Sequence, residues 1–284
     1  MIQVTPIQEC QLDEIGAFLH ERLARRISPQ AWVESLMHDW ARERPNFGMQ
    51  LRDGDRLVGV ICAVYSDQWI AGKLERFCNP HSWCVLDEYR NASIKLVLEL
   101  LKQRDYHFTM FTPNPKVAQV FVGLRFRLLD PRMLYIANLP SPWPVGAVRF
   151  LESDKSRIGQ RLEGAALREF EAHRNIPWLE FVAFGSPGDA CLVIYKRERW
   201  KKMACAWMMH VSNPESMQRH GRLLRHHLLM RLGIPVSRVE TRFLSVPPAL
   251  AYRTRRSQPK LVASRTLSDA QVRDVYSELV ALDL

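Results

Sequence analysis

A chain of 284 residues, 47% of them apolar, can bury a sizeable core, which excludes a disordered chain and favours two domains or one large one. No apolar run reaches the ~18 residues of a membrane span, and the N-terminus MIQVTPIQECQLDEIG lacks the basic-then-apolar pattern of a secretion leader. The net charge of +10 suits an anionic partner: nucleic acid, anionic lipid, a nucleotide cofactor or an acidic carrier protein.

In chain order, residues 2–4 read as a short strand ended by Pro6. Leu12, Ile15, Leu19, Leu23 and Ile27 keep helical spacing, with Asp13 and Glu14 in the first turn where the helix dipole favours them. A second helix is expected over 30–40, with Trp32, Leu36 and Trp40. Phe47 to Ser66 reads as a hairpin turning at Asp53-Gly54-Asp55. A long strand over 74–86 hands its end, through Asp87-Glu88-Tyr89-Arg90, to a helix from about 92 to 103 with the stripe Ile94, Val97, Leu98, Leu101. A strand over 107–112, a helix bearing Val117, Val120 and Phe121, and a strand over 126–136 follow. Prolines at 140, 142 and 144 predict an extended linker over 138–146.

The second half repeats the order. A helix over Arg161–His173 precedes a strand pair, Leu179–Phe184 with Cys191–Arg197, around Gly185-Ser186-Pro187-Gly188. A long strand (201–212), a helix from Met217 to Leu232 ended by Gly233 and a strand over Val236–Leu244 come next. Ser268-Asp269-Ala270-Gln271 is a capping-box pattern expected to open a C-terminal helix. The shared order of long strand, helix and strand suggests a duplicated α/β unit.

A strand that ends at a helix N-terminus offers unpaired N–H groups and partial positive charge, a natural anion site. With the elements laid out, Val85-Leu86-Asp87-Glu88-Tyr89-Arg90 before a helix, Phe111-Thr112-Pro113-Asn114-Pro115, and Gly123-Leu124-Arg125-Phe126 make residues 1–137 resemble the GNAT acyltransferase superfamily. The resemblance implies a mixed, mainly antiparallel α/β (α+β) sheet flanked by helices. Residues 147–284 follow by element order alone, as a degenerate second copy in a tandem pair. It also implies an acyl-CoA co-substrate, acetyl-CoA or another, with no metal. The strand end Val85 and Leu86 would meet the pantetheine arm, and Arg90, Asn91, Ala92, Ser93 and Lys95 the phosphates. Asn114 would open the helix after the fifth strand. The family's Gly-x-Gly-x-Gly/Ala loop is here Asn91-Ala92-Ser93-Ile94-Lys95, so bare amides are replaced by Asn, Ser and Lys side chains. In the second half Arg219-His220-Gly221-Arg222 takes that place, with one glycine.

Glu75, early on the fourth strand, and His81 are the candidate general bases that would deprotonate an amine. Six residues apart, they share one strand face. Each has a plainer reading, Glu75 paired with Arg76 or Lys73 and His81 as a hydrogen-bonded strand histidine. The helix after the fifth strand offers Phe121 where the family often has a Tyr acid, so no general acid is assigned. Cys78-x2-His81-x2-Cys84 does not read as zinc: a strand separates the cysteines by ~20 Å and turns His81 to the other face. The six cysteines read as buried thiols of a reducing compartment, and the expected location is cytoplasmic.

The basic runs Lys196–Lys202, Arg219–Arg231 and Arg253–Arg256 carry no RNA-motif signature or interleaved stacking aromatics, so nucleic acid is not the expected partner. Two readings follow. The first is an N-acyltransferase acting on an amine of a small molecule or amino sugar, with CoA or an acidic acyl carrier protein as donor. The second half would then shape the acceptor cleft or a homodimer. The second is a non-catalytic binding or regulatory protein on a degenerate acyltransferase fold.

Overall fold

The structure is a computed structural model and describes residues 1–130, 132–141, 148–244, 246–248, 250–254 and 258–283. Its elements in chain order are β1 (Ile2–Pro6), α1 (Leu12–Arg22), α2 (Pro29–Glu34), β2 (Gly48–Asp53), β3 (Arg56–Ile70), β4 (Lys73–Val85), α3 (Ser93–Leu100), β5 (His107–Met110), α4 (Pro115–Gly123) and β6 (Arg127–Leu128). Then come β7 (Met133–Ala137), β8 (Phe150–Glu152), α5 (Lys155–Ile158), α6 (Gly164–His173), β9 (Leu179–Gly185), β10 (Cys191–Trp200), β11 (Met203–Val211), α7 (Pro214–Met230) and β12 (Val236–Glu240). The chain ends with β13 (Ala251–Arg253), β14 (Leu261–Ala263) and α8 (Glu278–Ala281).

Contacts divide the chain into two units, residues 1–129 with 259–267 and 276–284, and residues 130–258 with 268–275. The first holds a seven-stranded sheet in the order β1-β2-β3-β4-β5-β14-β6. Every neighbour is antiparallel except β4 and β5, which run parallel as the crossover through α3 requires. The second unit's sheet, read from β8, is β8-β9-β10-β11-β12-β7-β13, again antiparallel except for one parallel pair, β11 and β12, joined by α7. The two sheets therefore have the same strand order and sense. In each, the sixth strand comes from the other half of the chain: β14 for the first sheet, β7 for the second.

Each unit has its own core. In the first, Leu51, Ile61, Leu96, Val97 and Phe121 are fully buried between sheet and helices. In the second, Val193, Leu224, Val239 and Phe184 are. The β2–β3 hairpin turns where expected, at Asp53-Gly54-Asp55, with Gly54 at φ +58°. Gly48 is demanded more strictly. Its φ is +116°, and an added Cβ would stand 2.1 Å from the Ile61 carbonyl oxygen.

Several expectations change. The helix expected over 30–40 closes at Glu34. The strand expected over 126–136 is two strands, β6 and β7, that go to different sheets, with a proline at 131 in between. The capping box at Ser268 and Gln271 forms, but it opens a single 3-10 turn over 269–271, and helix returns only at α8. The units are likewise drawn differently from a cut at 138–146: β7 lies in the second sheet and residues 259–267 in the first unit. Asn138 is buried, its side chain donating to the Ile234 carbonyl at 2.8 Å and accepting from Ser237 Oγ. Residues 142–146 of the expected linker, and Arg255 and Arg256 of the third basic run, lie outside the described residues.

Candidate active site

In the first unit β4 and β5 start as a parallel pair and then part. Their register covers only Phe77 with His107 and Cys78 with Phe108. The sequence forces the separation. Pro80 sits opposite Ala63, whose own N–H points away from β4 to the Phe47 carbonyl, so Pro80 faces the β5 side with no N–H to extend the ladder. Asn79 spans the gap instead, its Nδ2 donating to the Thr109 carbonyl at 2.9 Å. Two residues further on, β4 bulges: Cys62 opposes His81 and Val60 opposes Cys84, leaving Ser82 and Trp83 across from Ile61. Ser82 takes φ +51° to make the bulge.

A cavity of about 320 Å³ opens where the strands part. His81, Ser82 and Trp83 line it from β4, Asn114 from the head of α4, Trp32 from α2 and Glu278 from α8. Apolar side chains such as Ile27, Met110 and Val117 complete its wall, and Arg26 stands at the exposed edge. Four polar atoms of the residues that line it are buried and make no hydrogen bond: His81 Nε2, Glu278 Oε2 and the indole N–H groups of Trp32 and Trp83. A buried polar atom without a partner costs about 1–3 kcal/mol. All four belong to residues that line one cavity, so unspent hydrogen-bonding capacity is gathered around it.

Glu278 is fixed from three directions. Its Oε1 accepts from the Phe111 and Thr112 amides, both at 2.9 Å, and from Thr112 Oγ1 at 3.0 Å. Its own amide donates to Asn79 Oδ1. These amides follow the end of β5, so the carboxylate takes the place a continuing ladder would fill. Burial raises the Glu278 pKa, and those hydrogen bonds pull the other way without reversing it. His81 has Nδ1 2.9 Å from Ser82 Oγ. Burial, with the charge of His38 adding to it, lowers its pKa to about 4. At neutral pH the imidazole is therefore uncharged. When Nδ1 carries the proton toward Ser82, Nε2 is left with the free lone pair. Trp83 is held by edge-to-face contact with Phe121, ring centres 6.1 Å apart.

The residues singled out in the sequence fall into two groups. His81 and Asn114 reach the cavity, although Asn114 already spends its side-chain oxygen capping α4 through the Val117 amide. Glu75 shares the His81 face but lies six residues, ~20 Å, along the strand, paired with His107 at 3.0 Å and Lys73 at 3.1 Å. The turn after β4 is wound into a 3-10 helix, Asp87–Ala92. Its Tyr89 and Ser93 amides donate within the turn, to the Leu86 and Arg90 carbonyls. Leu86 donates to the Val58 carbonyl, Val85 packs against Gly59, and Ala92 is buried. Arg90 pairs with Asp87 at 2.7 Å, both side chains exposed, and Ser93 Oγ donates to the Arg90 carbonyl. Asn91 and Lys95 face solvent. No residue from Val85 to Lys95 lines the cavity. Glu278, Trp32 and Trp83 were not singled out. Among the described residues no group of three metal-ligating side chains gathers.

The architecture can be matched to solved structures. A GCN5-related N-acetyltransferase from Anabaena variabilis superposes with a TM-score of 0.60 at 11% identity, over 92% of this chain and 72% of that one. One from Kribbella flavida gives 0.58 at 15% identity, over 92% and 70%. The chain has the GCN5-related N-acetyltransferase fold. A putative acetyltransferase from Pyrococcus horikoshii shares this fold over 96% of this chain and 92% of its own, with a TM-score of 0.52 and 10% identity. No family model matches the sequence, and no curated protein does. Within the fold, the parting of β4 and β5 supplies the cleft, and the chain's own Pro80, Asn79 and Glu278 shape it.

Proposed function

We propose that the protein is an acyltransferase that moves an acyl group from a thioester to an amine in the cleft between β4 and β5. The observation that carries this is that His81 and Glu278, each with an unpartnered buried atom (Nε2 and Oε2), both line one partly apolar cavity. The apolar wall suits an acyl chain, and the indole N–H groups suit a carbonyl oxygen. The amine attacks as the free base, and neutral His81 accepts the one proton its nitrogen sheds as the amide forms. The amine nitrogen bonds to the thioester carbonyl carbon, the C–S bond breaks, and the sulfur takes a proton from Glu278, whose burial keeps it protonated into a higher pH range than an ordinary carboxyl. Glu75 has no part in this scheme.

An acyl-CoA is the donor the fold suggests. Arg90 is the residue available to its phosphates, because an exposed pair such as Arg90–Asp87 is worth at most ~1 kcal/mol and exchanges readily. An acyl carrier protein is the competing donor, and the internally bonded turn over 87–92 favours it, as it also favours a protein that binds without turnover. The second unit has the matching strand order and its own buried histidine and glutamate with unpartnered atoms, His210 Nε2 and Glu169 Oε2. The six free thiols suit a reducing compartment such as the cytoplasm. No helix among the described residues is long and apolar enough to cross a membrane.

Titration of the full-length protein with CoA, acetyl-CoA, longer acyl-CoAs and an acyl carrier protein, read by melting temperature, identifies the donor. Thiol release with a panel of amines then measures turnover. His81→Gln and Glu278→Gln should each lower turnover at least ~100-fold while leaving donor binding within a few-fold. Binding without thiol release from any amine would overturn the enzymatic reading.

A further inference from the structure

We propose that the second unit binds a small organic anion with an apolar body, a carboxylate or phosphate monoester, through Arg222 and Arg225. A cavity of about 680 Å³ lies against one face of α7. Opposite the helix it is walled by apolar side chains, among them Leu139, Leu244, Val246, Pro247 and Leu250. Val246 and Leu250 are 58% and 68% exposed, so apolar surface is presented at the opening as well as inside. On the helix side three arginines line it, and they are not equivalent. Arg219 is engaged by Asp189 at 2.6 Å and, more distantly, by Glu215. Arg222 and Arg225 have no carboxylate partner among the described residues.

The two guanidiniums border one partly apolar cavity, Arg225 half-buried and Arg222 exposed. Burial pushes the Arg225 pKa down, and Arg222 adds repulsion. Two like charges held together without a counter-ion are unfavourable, and an anion joining them removes that cost. Gly221 makes the room. An added Cβ there would meet Arg225 Nη1 at 3.3 Å, so the missing side chain lets the guanidinium lie along the helix. The volume is ample for a ligand of eight to twelve heavy atoms. Arginine forks suit planar carboxylate and tetrahedral phosphate alike, while the leucines and prolines suit a hydrocarbon chain or ring, not a bare ion. The site uses the middle of α7, eight residues beyond its first, so it does not depend on the helix's N-terminal amides.

The experiment uses the full-length protein and three ligands of equal chain length: octyl phosphate, octanoate and 1-octanol, below their aggregation limits, by calorimetry. At least one anion should bind saturably and at least ten-fold tighter than the alcohol; whichever anion is tighter names the head group. Arg222→Gln and Arg225→Gln should each weaken it ten-fold or more. Arg199→Gln, which removes the same charge from an exposed strand position, should leave it unchanged. Circular dichroism confirms that the variants fold, and Arg222, being exposed, is substitutable even if Arg225 is not. The proposal is overturned if neither anion outbinds the alcohol, or if Arg199→Gln weakens binding as much as Arg222→Gln.

Discussion

His81 and Glu278, two titratable groups at the first unit's cavity, should pull its stability in opposite directions over one pH range. His81 is neutral when folded, with its pKa lowered from 6.5 to about 4. Below pH 6.5 the unfolded chain takes up a proton that the folded one refuses, so stability is lost as pH falls from 6.5 toward 4. At 1.36 kcal/mol per pK unit, the loss between pH 7 and pH 5 is about 2 kcal/mol. Glu278 has the opposite sign. Its folded pKa is raised above 4.5, so its contribution is complete below that pH and is lost as pH rises through the folded value. Urea unfolding at pH 7.5, 6 and 5 separates the two. His81→Gln removes the histidine's dependence, so the variant should gain about 2 kcal/mol on wild type between pH 7.5 and 5. Glu278→Gln keeps an oxygen for the Phe111 and Thr112 amides and should gain on wild type in the other direction, as pH rises. A gap for His81→Gln that stays constant to within ~0.5 kcal/mol would refute the reasoning, since it would mean the imidazole is not held neutral by burial.

Three further outcomes are expected. In the second unit Arg242 is 5% exposed and lies between Glu240 at 2.5 Å and Asp274 at 2.6 Å. Arg242→Met should cost ~3–5 kcal/mol in urea unfolding by leaving two buried carboxylates without their guanidinium. Arg90→Ala should leave the unfolding midpoint unchanged while weakening acyl-CoA binding ~10-fold or more by calorimetry, if CoA is the donor. Gly48→Ala should cost at least ~3 kcal/mol, from both its φ and the contact with Ile61, and reduce soluble yield.

The local grammar was readable in the sequence. Alternation and turn residues place β2 to β4 and the β9–β10 pair, and parity along β4 puts Glu75 and His81 on one face. What parity does not give is distance along the strand, which separates Glu75 from the cleft. Nor does a local pattern report a strand's neighbour. Leu261–Ala263 is three residues long, and its pairing with β5 depends on contacts about 150 residues away. Glu278 was hidden for the same reason. It precedes Leu279-Val280-Ala281-Leu282 at the end of what looks like an amphipathic helix, where a glutamate is unremarkable. Its significance lies in Phe111, Thr112 and Asn79, and its one sequence signal is a charged residue next to four apolar ones. The turn after β4 was singled out by resemblance alone, and the sequence did not show that its amides would be bonded within a 3-10 helix.

The exchanged sixth strands bear on how the chain is made. On the ribosome β5 emerges early, but the strand that covers its edge, β14, follows about 150 residues later. At ~5–20 residues per second that is on the order of ten seconds during which β5 has an open edge. Completion of the first sheet is therefore a late event, after nearly all of the second has been translated. A chain cut at the prolines would leave each fragment lacking a strand the other carries. Expressed together, two such fragments would be natural partners for complementation; expressed singly, each would be a candidate for chaperone capture.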